Sequence, residues 1–344
     1  METVKTDGPC IGLALGSGAA KGFAHIGVLK VLNEMGIQPH VIAGTSMGAF
    51  VGAAYAAGEL DKLEAWVRQL DNWKVFSLLD INWTLSGGVI GGKKPFRTFF
   101  EDFEFNDIED LALPFTAVAT DLHSGQEIWL QQGNLQDAVS ASCSIPGLLS
   151  PKALSGRWLV DGAVVNPVPV DVCRAMGATR VIAIDVMEDG APLLTRDNEE
   201  VTSVVSAQPT DEDMQTLQRE RAEIALPETA DDDDAQRAEN GSAANGLARL
   251  LEQGKEQLTQ FRELRKRPKV TPPGMFDTMH QAMAILERRH KRTRMMGSPP
   301  DVLIMPKVAD IGGMEFSRAS EAIDAGEVEA RRLRTWIEDM VGAG

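Results

Sequence analysis

The chain has 344 residues, 43% of them hydrophobic, which is enough to bury a large core as one big domain or two smaller ones. Its formal net charge of −16 is concentrated in residues 188–241, where 16 Asp and Glu residues stand against 4 Arg and no Lys. Because nucleic-acid binding usually needs a basic face that releases phosphate counterions, we expect no nucleic-acid partner.

The cysteines and the apolar runs narrow the class of protein further. Cys10, Cys143 and Cys173 are an odd number at no metal-like spacing, so we expect no disulfide framework, no metal and no other cofactor. The N-terminal residues do not resemble a secretion signal, and no stretch reaches the roughly 18 apolar residues of a membrane span. These features predict a cytoplasmic protein whose membrane contact would be peripheral, at the inner membrane surface.

The first half of the chain alternates strand and helix patterns. Residues 11–15 predict a strand and residues 23–35 a helix, and a short strand at 41–43 precedes a helix of small residues at 49–57. Further elements are predicted as strands at 114–120, 126–130, 157–160 and 180–186, with a helix at 171–176. Repeated strand–helix units predict an α/β fold with a mainly parallel, helix-covered central sheet.

The second half begins with an interruption of this pattern. Residues 188–245 are acidic and hold few large apolar side chains, a composition that predicts a disordered insertion. Beyond it the pattern predicts helices at 247–264 and 275–286, a strand at 301–305 and a closing helix at 317–341. We expect the late strand to rejoin the sheet begun near the N-terminus.

The segment Gly44-Thr45-Ser46-Met47-Gly48 has the G-x-S-x-G pattern of a nucleophile elbow. In such an elbow, flanking glycines allow a sharp strand-to-helix turn that exposes the serine oxygen. The pentapeptide alone is a weak indicator. Here a short strand precedes it and a helix of small residues follows, which is the context that the motif requires, so we interpret Ser46 as a nucleophile.

A glycine-rich loop, Gly16-Ser17-Gly18-Ala19-Ala20-Lys21-Gly22, follows the first predicted strand. Small residues let backbone N–H groups approach a developing oxyanion closely, as acyl transfer requires. The rival interpretation is dinucleotide binding, because Gly16, Gly18 and Gly22 form a G-x-G-x-x-x-G variant between a strand and a helix. That interpretation predicts an acidic residue at the end of the next strand, where this sequence has Gly44 and then the serine motif.

A serine nucleophile needs a base, and no histidine is well placed for that role. The candidates are His25, His40, His123, His280 and His290. A Ser-Asp dyad is the economical alternative, since Asp121, Asp161 and Asp185 each end a predicted strand. Asp161 ranks first because a Gly-Ala turn follows it and leaves backbone room for the carboxylate to face another side chain. The other two aspartates stay open.

Several coupled motifs together resemble the patatin-like phospholipase family. They are LALGSGAAKGFAHIGVL, AGTSMGA, ATDLHSG, SIPGLLSP and LVDGAVVNPVP, in this order and at ordinary spacing. The segment DVLIMPKVADIGGMEFSRASEAIDAGE resembles the C-terminal extension of the bacterial cytosolic branch. The resemblance covers about residues 9–187 and implies a patatin-like catalytic core there, with a three-layer α/β/α fold. The acidic insertion at 188–245 lies outside the resemblance, and a C-terminal helical segment is expected at 246–344.

The resemblance also implies a function for individual residues. Ser46 would be the nucleophile of a serine acyl-ester hydrolase and Asp161 its partner in a dyad, within the Asp161-Gly162-Ala163 motif. The N–H groups of Ser17, Gly18 and Ala19 would form the oxyanion hole, with Lys21 at a position that is usually basic. Ser17 and Ala19 stand where glycine is commoner, and a Cβ atom restricts any backbone conformation with positive φ. The substrate would be a lipid or another acyl ester.

Three features leave alternatives open. A regulatory or adaptor protein could keep this core with little turnover, and the acidic insertion would then bind a protein partner. Residues 73–96 suit either a mobile apolar cover over a lipid site or ordinary core packing. The basic run at 288–294 fits contact with anionic lipid headgroups, although a solvated helix end or pairing with the acidic insertion is the commoner role of such a run.

Overall fold

A mainly parallel sheet is the centre of the fold in the computed structural model, which describes residues 8–70, 88–90, 99–100, 106–187 and 275–342. Its strand order is β10-β9-β1-β2-β4-β8-β7, with β5 also paired to β4. The strands are β1 Ile11–Leu15, β2 Val41–Thr45, β4 Phe115–Asp121, β5 Glu127–Leu130, β7 Lys152–Leu154, β8 Arg157–Asp161, β9 Arg180–Ile184 and β10 Val302–Ile304. The first five in the order run parallel, β5 and β8 each pair antiparallel with β4, and β7 pairs antiparallel with β8.

Helices cover both faces of this sheet and give the predicted three-layer α/β/α arrangement. The helices are α1 Ala24–Glu34, α2 Met47–Ala56, α3 Leu60–Val67, α4 Leu135–Ser142, α5 Val170–Ala175, α6 Met275–Gly297, α7 Ala319–Arg332 and α8 Arg334–Gly342. Residues of α1, α2, α3, α4 and α7 pack in one cluster against one face. Residues of α5 and the Met295 side chain of α6 pack in a second cluster against the other face. The predicted fold class is thereby confirmed.

The central strands are buried along their whole length, which explains why they read as unbroken apolar runs. All residues of β1, β2 and β4 are buried. Strands covered by helices on both faces have no solvent side and therefore lack polar alternation. β10 pairs parallel with β9 and adds the C-terminal part of the chain to the same sheet.

Some predicted helices differ from the observed ones. The helix predicted at 275–286 continues as α6 to Gly297, through the basic run. The single helix predicted at 317–341 is two helices that meet at Leu333, a break that the periodicity hides because Ile337 of α8 is still buried. Helices α3 and α4, of 8 residues each, were not predicted. None of the described helices combines the length and apolar character needed to cross a membrane.

Other predictions fall outside the described residues. These are the acidic insertion at 188–245, the helix at 247–264 and most of the apolar cover at 73–96. Within that last segment the structure describes β3, Gly88–Ile90, which pairs parallel with β6, Gly147–Leu149, in a separate two-stranded sheet.

The pairing around β4 brings two strand ends together. Thr45, the last residue of β2, pairs with Val118, and Asp161, the last residue of β8, pairs with the next residue, Ala119. β5 occupies the opposite edge of β4 over these positions. β2 and the antiparallel β8 therefore run toward each other along one edge of β4, so the residues that follow β2 meet the carboxyl end of β8.

Candidate active site

Ser46 occupies the sharp turn between β2 and α2. Its backbone lies at φ 56 and ψ −123, a region that side chains with a Cβ rarely adopt and that marks stored strain at functional positions. The glycines beside it are required by close packing. A Cβ on Gly44 would lie 2.5 Å from the Gly48 carbonyl oxygen, and one on Gly48 would lie 2.1 Å from the Leu15 carbonyl oxygen. The predicted elbow conformation is therefore present.

The Ser46 hydroxyl points at Asp161. Its Oγ donates a hydrogen bond of 2.6 Å to Asp161 Oδ2, and the two residues are only 4% and 3% exposed. The Asp161 Oδ1 atom accepts the N–H of Ala163 at 2.8 Å, so both carboxylate oxygens are held. A Cβ on Gly162 would lie 2.2 Å from the Val118 carbonyl oxygen, which explains the glycine in this turn. The structure thus brings together the serine and the first-ranked aspartate.

Burial changes the acidity of Asp161. Desolvation raises the pKa of its carboxyl to about 7, even though the hydrogen bonds from Ser46 and Ala163 act in the opposite direction. The negative charge of Glu287 adds to the increase. A carboxylate with a pKa near neutrality accepts a proton far more readily than an ordinary aspartate, which suits it to the role of general base.

The other two aspartates have different partners. Asp121 accepts a hydrogen bond of 2.6 Å from Arg157 Nη1. Asp185 forms a buried ion pair of 2.6 Å with Lys291 Nζ. Each carboxylate is committed to a cation, whereas Asp161 has none among its hydrogen-bond partners in the described part of the chain. Of these three aspartates, Asp161 is the one whose carboxylate is hydrogen-bonded to the Ser46 hydroxyl in the described part of the chain.

Two of the candidate histidines, His25 and His40, have structural contacts. His25 Nε2 lies 2.8 Å from the Gly16 carbonyl oxygen, and burial lowers the pKa of His25 to about 4, so the ring is neutral and donates from Nε2. His40 Nδ1 accepts the N–H of Ile11 at 3.0 Å. His25 therefore supports the glycine-rich loop and His40 supports the start of β1.

The glycine-rich loop is anchored at both ends and open in the middle. Gly16 N–H donates to the Ile184 carbonyl at 3.0 Å, Ser17 N–H to the Pro167 carbonyl at 2.8 Å, and Ala20 N–H to the Gly313 carbonyl at 3.0 Å. Within the described residues, the N–H groups of Gly18 and Ala19 have no acceptor. The Ser17 N–H, which the family resemblance assigned to an oxyanion hole, is thus already occupied, and only Gly18 and Ala19 keep N–H groups for a ligand.

Close packing sets the shape of this loop. Ala19 adopts φ 47 despite its Cβ atom, so alanine at a commonly glycine position does not prevent the left-handed conformation. A Cβ on Gly18 would lie 2.1 Å from Val186 Cγ2, which leaves no room for a larger residue. A Cβ on Gly22 would lie 2.4 Å from Met47 Cγ, which places the end of the loop directly against the elbow. Lys21 Nζ reaches the Ala309 carbonyl at 3.5 Å.

The sequence analysis missed the role of residues 142–144. Ser142 Oγ accepts the Ser46 N–H at 2.9 Å and donates to the Val118 carbonyl at 2.6 Å. The Ser144 carbonyl accepts the Asp161 N–H at 2.9 Å. Burial raises the pKa of Cys143 well above its usual value, so a neutral thiol lies beside the Ser46 hydroxyl. The available signal was position, since Ser142 and Cys143 stand immediately before the SIPGLLSP motif and Ser144 is its first residue.

The nucleophile elbow is also held from the opposite side. Thr45 Oγ1 donates to the Asn166 carbonyl at 2.8 Å. The Asn166 amide donates to Glu127 and Asp171, at 2.9 Å each, and both of these carboxylates accept from Arg294 of α6. A continuous polar network therefore links the strand before Ser46 to Arg294, which lies in the basic run for which the sequence suggested lipid contact, a solvated helix end or pairing with the acidic insertion.

Comparisons with known proteins show which family the chain resembles. Residues 13–174 match the family model described as "Patatin-like phospholipase". An uncharacterized NTE family protein of Mycobacterium tuberculosis is 32% identical over 336 residues, which cover 94% of this chain and 90% of that protein.

Two larger relatives match over about half of the chain. The patatin-like phospholipase domain-containing protein 6 of Homo sapiens is 36% identical over 186 residues, which cover 52% of this chain and 13% of that protein. Neuropathy target esterase sws of Drosophila melanogaster is 34% identical over 191 residues, with 52% and 13% covered. The match to the mycobacterial relative spans nearly the whole of both chains. The chain therefore belongs to the patatin-like phospholipase family, a family of lipid carboxylic ester hydrolases.

Proposed function

We propose that this protein hydrolyses the acyl esters of phospholipids or lysophospholipids through a Ser46–Asp161 dyad. The observation that carries the proposal is the 2.6 Å hydrogen bond from Ser46 Oγ to a buried carboxylate that has no cation among its hydrogen-bond partners in the described chain. The comparisons support lipid as the substrate class. Two of the relatives are named as a phospholipase domain protein and an esterase.

The proposed reaction has two halves that use the same groups. In the first, Asp161 accepts the Ser46 proton while Oγ attacks the ester carbonyl, and the alcohol portion of the lipid leaves with a proton returned from Asp161. In the second, Asp161 accepts a proton from water as the water oxygen attacks the acyl-enzyme carbonyl, and the bond from the acyl group to Ser46 Oγ then breaks as Asp161 returns that proton to Oγ and the fatty acid leaves. Ser46 is pre-oriented for the first step because its backbone is fixed by Ser142 and by the start of α2.

The oxyanion would be stabilised by the N–H groups of Gly18 and Ala19. These two donors are unoccupied among the described residues, and they lie in the loop that packs against Met47. Donors that are fixed before the reaction stabilise a developing negative charge without a reorganisation cost. Lys21 adds a positive charge near this loop, in keeping with an anionic intermediate.

Labelling with a fluorophosphonate probe tests the proposed nucleophile directly. We expect a covalent adduct on the tryptic peptide that contains Ser46, formed in parallel with the loss of ester hydrolysis. Prior incubation with lysophosphatidylcholine should slow the labelling. An inert Ser46 in a folded protein would instead support the adaptor function, and an adduct on another serine would assign the nucleophile elsewhere.

The rate should depend on pH through Asp161. Since only the deprotonated carboxylate accepts the serine proton, and burial raises the pKa of Asp161 to about 7, we expect kcat/KM to rise with pH and to level off above about pH 7. A soluble short-chain ester avoids the effects of lipid aggregation on such a profile. If kcat/KM were already at its plateau near pH 5, the base would have the pKa of an ordinary carboxyl group. That result would contradict the assignment of the buried Asp161 as the base.

A further inference from the structure

Helix α6 turns charged side chains toward the protein interior. Glu287, Lys291 and Arg294 recur at helical spacing on one face, and each contacts a different segment near Ser46. The opposite face carries exposed residues, among them Leu286 and Arg289. Packing alone does not favour charges on the inner face of a helix, because burial removes them from water at a cost of several kcal/mol each.

Lys291 ties α6 to the turn that follows β9. Its Nζ bonds Asp185 Oδ2 and the Met187 carbonyl oxygen, both at 2.6 Å, and Lys291 and Asp185 are 3% and 2% exposed. Asp185 Oδ1 accepts the Met187 N–H at 3.0 Å, so the turn is closed on itself as well. Val186 lies inside this turn and forms the wall against Gly18. A shift of Lys291 would therefore be transmitted to the backbone at Gly18.

Glu287 ties the same helix to the glycine-rich loop. Its carboxylate accepts the hydrogen bond of the Ser17 hydroxyl, while the Ser17 N–H donates to the Pro167 carbonyl. Ser17 is thus held through both its side chain and its backbone immediately before Gly18. Glu287 and Lys291 are four residues apart on α6, so one rigid helix sets the positions of both loops relative to each other.

We propose that Glu287 and Lys291 are positioning residues that hold the Gly18 and Ala19 N–H groups in the geometry that binds the oxyanion. The proposal rests on the proposed function, because it assigns these residues to the same reaction. A displacement of about 1 Å in the position of a reacting group can lower the rate roughly 100-fold. We therefore expect kcat to fall when a contact that holds the glycine-rich loop is removed. Neither residue touches the substrate in this proposal.

The variants separate positioning from simple stability. Lys291→Met removes the ammonium group that bonds Asp185, and the double variant Lys291→Met/Asp185→Asn removes both charges together, which is often nearly neutral for stability. Glu287→Leu removes the acceptor for Ser17, whereas Glu287→Gln keeps an acceptor oxygen. Arg289→Gln is the matched control, since it removes a charge from the exposed face of the same helix.

We expect Lys291→Met/Asp185→Asn and Glu287→Leu to lower kcat for a soluble ester by about 10- to 100-fold, with KM changed by less than about threefold. Affinity for a trifluoromethyl ketone, which forms a tetrahedral oxyanion on serine, should fall by the same factor as kcat. Glu287→Gln should retain most of kcat and should move the pH midpoint downward, because the charge of Glu287 raises the pKa of Asp161. Arg289→Gln should resemble wild type in every assay.

Thermal unfolding curves of all the variants identify a temperature at which every variant is folded. The kinetic constants are compared at that temperature. Wild-type kcat in both folded variants, with unchanged affinity for the ketone, would overturn the positioning role while leaving the proposed function intact. Failure of the proposed function has a different signature, since wild-type protein would then show no hydrolysis that depends on Ser46.

Discussion

Ser46→Ala is expected to lower ester hydrolysis by between about 10⁴- and 10⁶-fold, the range found when serine hydrolases lose a member of the catalytic unit. The physical reason is that Ser46 Oγ is the hydroxyl that is hydrogen-bonded to the proposed base, Asp161. Without that hydroxyl, Asp161 loses a hydrogen bond that favours its charged form and stays protonated at neutral pH. Initial rates with a short-chain ester and with lysophospholipid measure the loss.

Folding of the Ser46 variants should be preserved. Alanine at this position keeps the strain of φ 56, while Ser46→Gly adopts the same backbone without a Cβ penalty and should be at least as stable as the alanine variant. Ser124→Ala in an exposed loop is the matched control and should keep wild-type rates. Hydrolysis by Ser46→Ala at the wild-type rate would refute the assignment of the nucleophile.

Asp161→Asn is expected to lower kcat by about 10⁴-fold, which is comparable with the effect of losing the aspartate of the catalytic triad in other serine hydrolases. The amide oxygen can still accept the Ala163 N–H, so the turn that follows β8 should keep its shape. However, an amide does not accept the serine proton at any pH in the working range. Because the variant also removes a desolvated carboxyl, its thermal stability should not fall at pH 8, where wild-type Asp161 is charged.

Asp121→Asn is the matched control for this variant. Asp121 also ends a strand and is 5% exposed, but its carboxylate is paired with Arg157 and accepts the His123 N–H, and it has no hydrogen bond to Ser46 among the described residues. We expect this variant to lose some stability and to retain hydrolysis within a few-fold of wild type. The dyad would be contradicted if Asp161→Asn kept more than about a tenth of the wild-type rate, or if Asp121→Asn produced the larger loss.

Local patterns account for the elements that could be predicted. The apolar runs at β1 and β9, the glycine-bounded Ser46 and the small residues of α2 each lie within one short segment, so their meaning is visible without knowledge of the fold. Predictions of helix ends were wrong where contacts with distant segments decide how far a helix continues. Helix α6 continues through its basic run because Lys291 and Arg294 have carboxylate partners more than 100 residues away in the chain.

The sequence by itself determined the class of fold, the family and the segments that carry the candidate chemistry. Only the tertiary structure decided which of Asp121, Asp161 and Asp185 faces Ser46, because that choice depends on β2 and β8 running toward each other along one edge of β4. It also decided which loop N–H groups remain open, since the acceptor for Ser17 comes from a segment about 150 residues away. Hydrogen-bond partners and burial are properties of contacts between distant segments, and those contacts exist only once the chain has folded.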